Sequence, residues 1–195
     1  MNTKTKYING YILAGGKSSR MGADKGLLLL EGKPMIQYVI EQAQTLFDNL
    51  VIVSNNPEYK KFGLEVIPDL IKNIGPAGGI YTALNHSDKR LNFIVSCDMP
   101  FITKEAFEFI IKNTNDHQII LLENKGKTEP LFGIYSKDCK DIWLELIEQE
   151  TIQLQKMILY FKLKTIPVEN HKIFKENFFK NINTKEDFDN AINLI

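Results

Sequence analysis

The spacing of apolar residues changes several times along the 195-residue chain. Residues 7–13 form a short apolar run that ends in a glycine turn, as a first strand feeding a loop would. Residues 35–47 then repeat at helical spacing, with Met35, Ile36, Val39, Ile40, Ala43, Leu46 and Phe47 on one face. Residues 50–53 are a continuous apolar run, and 64–67 and 93–97 are apolar apart from Glu65 and Ser96, the pattern of strands buried on both faces. Between the last two, Gly75-Pro76-Ala77-Gly78-Gly79 breaks the chain before a helix over residues 80–85. Further on, the pattern predicts a helix over 103–112 and a strand over 119–122. A helix over 138–150 follows, with Cys139, Ile142, Trp143, Leu146 and Ile147 inside, then an amphipathic stretch over 154–161. Thr184, answered three residues later by Asp187, opens a last helix that runs to Ile195.

Strand and helix alternate from the start, which predicts an α/β fold: a mostly parallel sheet with helices on both faces. With 195 residues, 44% of them hydrophobic, the chain can bury one sizeable core, so a single domain over 1–195 is expected. Composition narrows the partners. Lys plus Arg (24) balance Asp plus Glu (24), leaving no broad positive field to hold nucleic acid or an anionic membrane. The two cysteines, Cys97 and Cys139, form no Cys-x-x-Cys pair or zinc spacing, which fits a reducing compartment. The first residues lack the long apolar core of a secretory signal, and no run approaches the roughly 20 residues of a membrane span. A cytoplasmic protein is expected.

In open α/β sheets ligands gather outside the carboxyl ends of the strands, so four loops carry the chemistry. The first is Leu13-Ala14-Gly15-Gly16 and its continuation through Arg20 and Asp24 to Lys25. Glycines let backbone amides approach phosphate oxygens, and Arg20 and Lys25 bring positive charge to a polyphosphate. The spacing is neither a Walker loop nor Gly-x-Gly-x-x-Gly, and a plain glycine turn with solvated cations is the alternative. The second loop is Cys97-Asp98-Met99-Pro100, where Asp98 is placed to ligate Mg²⁺ or, alternatively, to cap the turn before Pro100. The third joins Asp69 to the glycine loop around Gly78: the acid suits a ribose or base donor and the glycines suit flat contact with a purine, with a surface turn as the alternative. In the fourth, Asn181 and Asn183 point the same way from an extended segment, suiting a heterocycle's mixed donors and acceptors as well as simple N-cap chemistry. His86, His117 and His171 have no metal spacing, and Cys97 reads as a small buried residue.

Taken in order, Leu-Ala-Gly-Gly-x-Ser-x-Arg-Met-Gly-x-Asp-Lys, Pro-Asp, Gly-Pro-x-x-Gly, Cys-Asp-Met-Pro and Asn-x-Asn-Thr resemble the molybdenum cofactor guanylyltransferases of MobA type over nearly the whole chain. The resemblance implies a Rossmann-like nucleotidyltransferase fold and transfer of GMP from GTP to molybdenum-molybdopterin, with Mg²⁺ as cofactor. It implies that Leu13, Ala14, Gly15 and Gly16 contact the nucleotide, Lys25 its phosphates and Asp69 the nucleoside. Asp98 would hold GTP and Mg²⁺, Asn181 and Asn183 would face the pterin, and Pro130 and Leu131, in the segment 129–135, would line the acceptor cavity or, alternatively, sit in a buried edge strand. Arg20, Lys25 and Asp98 would form the catalytic set, since phosphoryl-type transfer needs positioning and charge neutralisation rather than a covalent nucleophile. Molybdoenzymes and other cofactor-biosynthesis proteins would be further partners. Lys156 is the one cation in 151–156, where the family often carries several. The same scaffold also serves cytidylyltransferases and sugar-phosphate or isoprenoid-precursor enzymes, and a non-catalytic cofactor carrier is a third possibility; a plain dinucleotide-binding protein has the wrong glycine spacing.

Overall fold

The computed structural model describes residues 5–15, 24–169, 171–175, 177–182 and 184–192. In chain order its strands are β1 (Ile8–Leu13), β2 (Leu29–Leu30), β3 (Lys33–Pro34), β4 (Leu50–Val53), β5 (Glu65–Ile67), β6 (Leu91–Ser96), β7 (Ile119–Asn124), β8 (Lys127–Ser136) and β9 (Leu163–Pro167). The helices are α1 (Met35–Ala43), α2 (Pro76–His86), α3 (Lys104–Lys112), α4 (Lys140–Glu148), α5 (Leu154–Met157) and α6 (Lys185–Ile192). Seven strands form one sheet in the order β5-β4-β1-β6-β8-β7-β9, and β2 pairs with β3 in a small separate hairpin. β5, β4, β1 and β6 are parallel, β8 runs against both β6 and β7, and β7 is parallel to β9. The sheet is mostly parallel, as expected, with one reversed strand inside it.

The central apolar runs are buried on both faces because each strand divides its side chains between two cores, whereas β5, expected to be buried likewise, lies at the sheet edge with Glu65 exposed and Val66 and Ile67 half-buried. On one side Ile12, Ile52, Phe93, Val95, Ile120 and Phe132 meet Ile36 and Val39 of α1 and Phe107 of α3. On the other, Tyr11, Leu13, Val51, Ile94 and Leu121 meet Ile80 of α2 and Trp143 of α4. Trp143 closes this second core: it stacks on Phe161, takes the edge of Tyr135 and donates its indole N–H to the Ala77 carbonyl of α2 at 3.0 Å.

Several boundaries differ from the sequence pattern. Helix α1 stops at Ala43, and Leu46 and Phe47 reach the core from the following turn and an isolated bridge. Helix α2 begins at Pro76, because Gly75 takes φ +65° and turns the chain, so Gly78 and Gly79 lie inside the helix. Ile142 is 40% exposed and lies outside the α4 core face. Segment 129–135 does not form an edge strand: β8 is the fifth strand of seven. Its proline is accommodated by a wide bulge. The β7–β8 register passes from Leu121–Gly133 to Glu123–Thr128, and the β6–β8 ladder ends at Phe132, so Pro130 owes no ladder hydrogen bond. Near the C-terminus the Thr184 hydroxyl accepts from Asp187 N–H at 3.1 Å while the Asp187 carboxylate accepts from Thr184 N–H at 2.8 Å, a reciprocal cap that opens α6 as expected; residues 193–195, to which the expected helix runs, lie outside the described residues.

Candidate active site

The chain order β1, β4, β5 moves outward on one side of β1, and β6 then joins on the other side. The carboxyl ends of β1 and β6 therefore flank the point where the winding reverses, the usual ligand crevice of such sheets. A cleft of about 620 Å³ opens there, lined by Leu13, Ala14 and Gly15 after β1, Ser54, Asn55 and Asn56 after β4, Asp69 after β5 and Ser96 at the end of β6. Asp24, Gly75, Pro76, Gly79 and Leu131 also line it. Gly15 takes φ +102°, which favours glycine, and a Cβ there would stand 3.2 Å from the Ser54 hydroxyl.

Asp98 follows β6 by two residues. Its carboxylate accepts a 2.6 Å hydrogen bond from the Ser96 hydroxyl and lies 3.7 Å from the Lys25 ammonium, with side chains only 14% and 22% exposed. The lysine expected at the phosphates and the acid expected at the metal thus meet beside the cleft, next to Ser96 on its wall. Asp69 exchanges hydrogen bonds with Asn55: the amide Nδ2 donates to the carboxylate at 2.7 Å, and Asp69 N–H donates to the amide oxygen at 3.2 Å. Burial pushes the Asp69 carboxyl above its ordinary value, and the Asn55 amide opposes the shift.

Sequence reasoning missed three residues here. Asn55 pairs with Asp69 on the cleft wall. Asn56 and the buried Tyr59 both hold Asp24: the amide donates to one carboxylate oxygen at 3.0 Å and the phenol to the other. Asp24 is therefore a brace that ties the end of the glycine loop to the segment after β4. The available signal was the polar cluster Ser54-Asn55-Asn56 directly after an apolar run.

Not every expected residue faces the cleft. Gly78 is buried in α2 against the Ile71 carbonyl, where a Cβ would come within 2.7 Å, and Gly79 lines the cleft in its stead. Leu131 borders this cleft, whereas Pro130 is buried in the bulge and its carbonyl accepts from the Tyr135 hydroxyl at 2.7 Å. Asn181 lies on the segment tied to the acid, since Ile182 N–H donates to the Asp98 carbonyl at 3.1 Å. Its side-chain oxygen is buried and has no hydrogen-bond partner among the described residues. Gly16, Arg20 and Asn183 lie outside the described residues. Cys97 is buried beside Asp98 and Asp24, and burial pushes its thiol far above the ordinary range, so it is an inert packing residue.

A glycine turn, a lysine and an acid gathered at the switch point of a Rossmann-like sheet define a nucleotide-handling α/β enzyme. Residues 10–163 match the MobA-like NTP transferase domain, and the chain belongs to that family of nucleotidyltransferases. It is 37% identical to a Flavobacterium johnsoniae protein named probable molybdenum cofactor guanylyltransferase, over 96% of this chain and 97% of that one. A Clostridium perfringens protein of the same name is also 37% identical, over 93% and 94% of the two chains. Among solved structures, the molybdopterin-guanine dinucleotide biosynthesis protein A of Archaeoglobus fulgidus superposes with a TM-score of 0.82 at 25% identity, covering 95% of this chain and 97% of that one. A CMP:2-keto-3-deoxy-manno-octonic acid synthetase, at TM-score 0.74 and 14% identity, shares the fold. Among the described residues no helix is long and apolar enough to cross a membrane.

Proposed function

We propose that the protein transfers GMP from GTP to molybdenum-molybdopterin, forming the guanine dinucleotide cofactor and releasing pyrophosphate in the cytoplasm. The meeting of Lys25 and Asp98 beside the glycine turn carries the reading, and the names of its relatives supply the substrates. The N-terminal part up to Asp98 would hold the nucleotide, and the C-terminal part would hold the pterin.

In this reading the backbone of Leu13, Ala14 and Gly15 lies against the nucleotide, with the Ala14 N–H itself taken up by the Val53 carbonyl at 2.9 Å, and Asp69 with Asn55 receives the nucleoside. An oxygen of the acceptor's phosphate attacks the α-phosphorus, the bond to the β-phosphate oxygen breaks, and pyrophosphate leaves with that electron pair. Lys25, joined by Arg20, neutralises the charge that builds on the phosphates. No side-chain nucleophile is needed.

The residues present fit a divalent ion. The described residues contain no cluster of three metal-ligating side chains, but Mg²⁺ is commonly bound by one or two carboxylates plus substrate phosphates. Asp98 supplies a carboxylate just past β6, beside the cleft, and the substrate phosphates would supply the rest. When bound, such an ion polarises phosphate oxygens and offsets their charge.

Pyrophosphate release from each nucleoside triphosphate in turn, with and without molybdenum-loaded molybdopterin, tests the assignment. Release that requires the acceptor and favours GTP is the expected result. Equal thermal stabilisation by GTP and CTP in the presence of Mg²⁺ would remove the guanine assignment.

A further inference from the structure

A second cavity, about 700 Å³ in volume, opens on the other side of the β8 bulge. Its wall combines apolar surface from Ile158, Leu159 and Phe179 with the carboxylates of Glu123 and Glu129. The size and the mixed lining match a small-molecule site. One side of its rim is tied, because the Thr128 hydroxyl donates to the Gln155 amide oxygen at 2.6 Å while Gln155 Nε2 donates to the Thr128 carbonyl at 2.9 Å. Leu159 is 72% exposed at the rim, an apolar side chain with a face left for a ligand.

Two walls of this cavity run directly into the reactive centre. Glu129 stands two residues before Leu131, which lines the nucleotide cleft, and its carboxyl feels the charge of Asp98. Phe179 stands three residues before Ile182, whose N–H is bonded to the Asp98 carbonyl. An elongated molecule lying in the cavity would therefore deliver one end beside Asp98. Further from the cleft Glu123 pairs in register with Thr128, one step beyond Glu129, before Asn124, Gly126 and Lys127 of the β7–β8 turn close the cavity.

We propose that this second cavity holds the acceptor's fused heterocycle, and that Glu123 reads the 2-amino-4-oxo-pyrimidine edge of that ring. The assignment rests on the function proposed above. A ring of this kind presents two parallel N–H donors, one on the exocyclic amine and one on the ring, and a carboxylate accepts such a pair as a fork. Leu159 and Phe179 offer apolar surface to the ring faces, and the phosphate-bearing end points toward Asp98 and the nucleotide.

The test is a titration of the intact protein with 6-hydroxymethylpterin, followed by its own fluorescence, with and without saturating GTP and Mg²⁺. The corresponding lumazine, which has an oxo group in place of the 2-amino group, is titrated in parallel. The wild type is expected to bind the pterin at least tenfold more tightly than the lumazine. Glu123→Gln sets a donor against the ring's donors and should erase that preference. Leu159→Glu at the exposed rim should weaken both ligands, while GTP binding by calorimetry stays unchanged in both variants. Absence of saturable pterin binding by the wild type, or a preference unaltered in Glu123→Gln, overturns the proposal. Failure of GTP to bind would count against the nucleotide assignment alone, because the pterin titration is also read without it.

Discussion

The Lys25 ammonium stands 3.7 Å from the Asp98 carboxylate, although 72 intervening residues separate the two in the chain. The pair is partly exposed, so its own contribution to stability is about 1 kcal/mol or less. In the proposed reaction its value lies in offsetting phosphate charge. Lys25→Met should leave the urea midpoint nearly unchanged, weaken GTP binding and lower turnover about a hundred- to thousandfold. Calorimetric titration of GTP together with pyrophosphate release checks this. Unaltered GTP affinity would place the lysine outside the phosphate site.

The Asp24 brace makes a second prediction. A Cβ at Gly26 would collide with the Tyr59 hydroxyl, the group that holds Asp24. Gly26→Ala should therefore cost about 1–3 kcal/mol from overpacking and also weaken GTP binding by releasing the end of the loop. Tyr59→Phe separates the two effects, since it deletes only the hydroxyl. It should weaken GTP binding without adding volume, and normal GTP binding in that variant would show that the brace does not shape the cleft.

Trp143 links the second core to the cleft through Ala77, two residues before Gly79. Trp143→Ala should lose about 3–5 kcal/mol, measured by urea unfolding. Trp143→Phe keeps most of the ring area but frees the Ala77 carbonyl, and should lose about 1–3 kcal/mol. A loss below 0.5 kcal/mol for the phenylalanine variant, a threshold set by the low end of a hydrogen bond's usual net value of about 0.5–1.5 kcal/mol, would mean that the indole bond does not anchor α2.

Glu129 gives a pH dependence with a definite sign. Burial pushes its carboxyl above the ordinary value; the Leu131 N–H, at 3.2 Å, pulls the other way, and the Asp98 charge adds to the rise. The native state thus binds this proton more tightly than the unfolded chain does. The resulting stability is present at low pH and is lost as pH rises through the raised value. Glu129→Gln keeps an acceptor for Leu131 and carries no charge. Its stability relative to wild type should therefore climb as pH rises through and above the ordinary carboxylate range, as urea midpoints would record. A constant difference across that range would show that the carboxyl pays no desolvation cost.

Much of the fold was legible because burial on both faces leaves a direct mark: runs such as Leu50–Val53 have no polar position to spare. The glycine turn and Asp98 were legible for a related reason, since both follow such runs at the strand tips. The reversed strand β8 was harder to read. Pro130 suggests an edge, and only the bulge, which is set by the pairing of Glu123 with Thr128, shows how a central strand tolerates it. Helix α2 begins earlier than its apolar spacing indicates because Gly75 supplies the turn and Pro76 fits the first helical position, so glycines expected in a loop lie in the helix. Asn55, Asn56 and Tyr59 act through partners 14 to 35 residues away, and short segments without periodicity do not announce such partners.

The most direct test is single-turnover pyrophosphate release from GTP by Asp98→Asn, with molybdenum-loaded molybdopterin and Mg²⁺ present and with folding verified by an unchanged urea transition. The amide keeps the shape and the contact with Ser96 but removes the charge that would hold the ion. The expected result is release slowed by about two to three orders of magnitude. Release at the wild-type rate would contradict the placement of the metal and the reaction at Asp98.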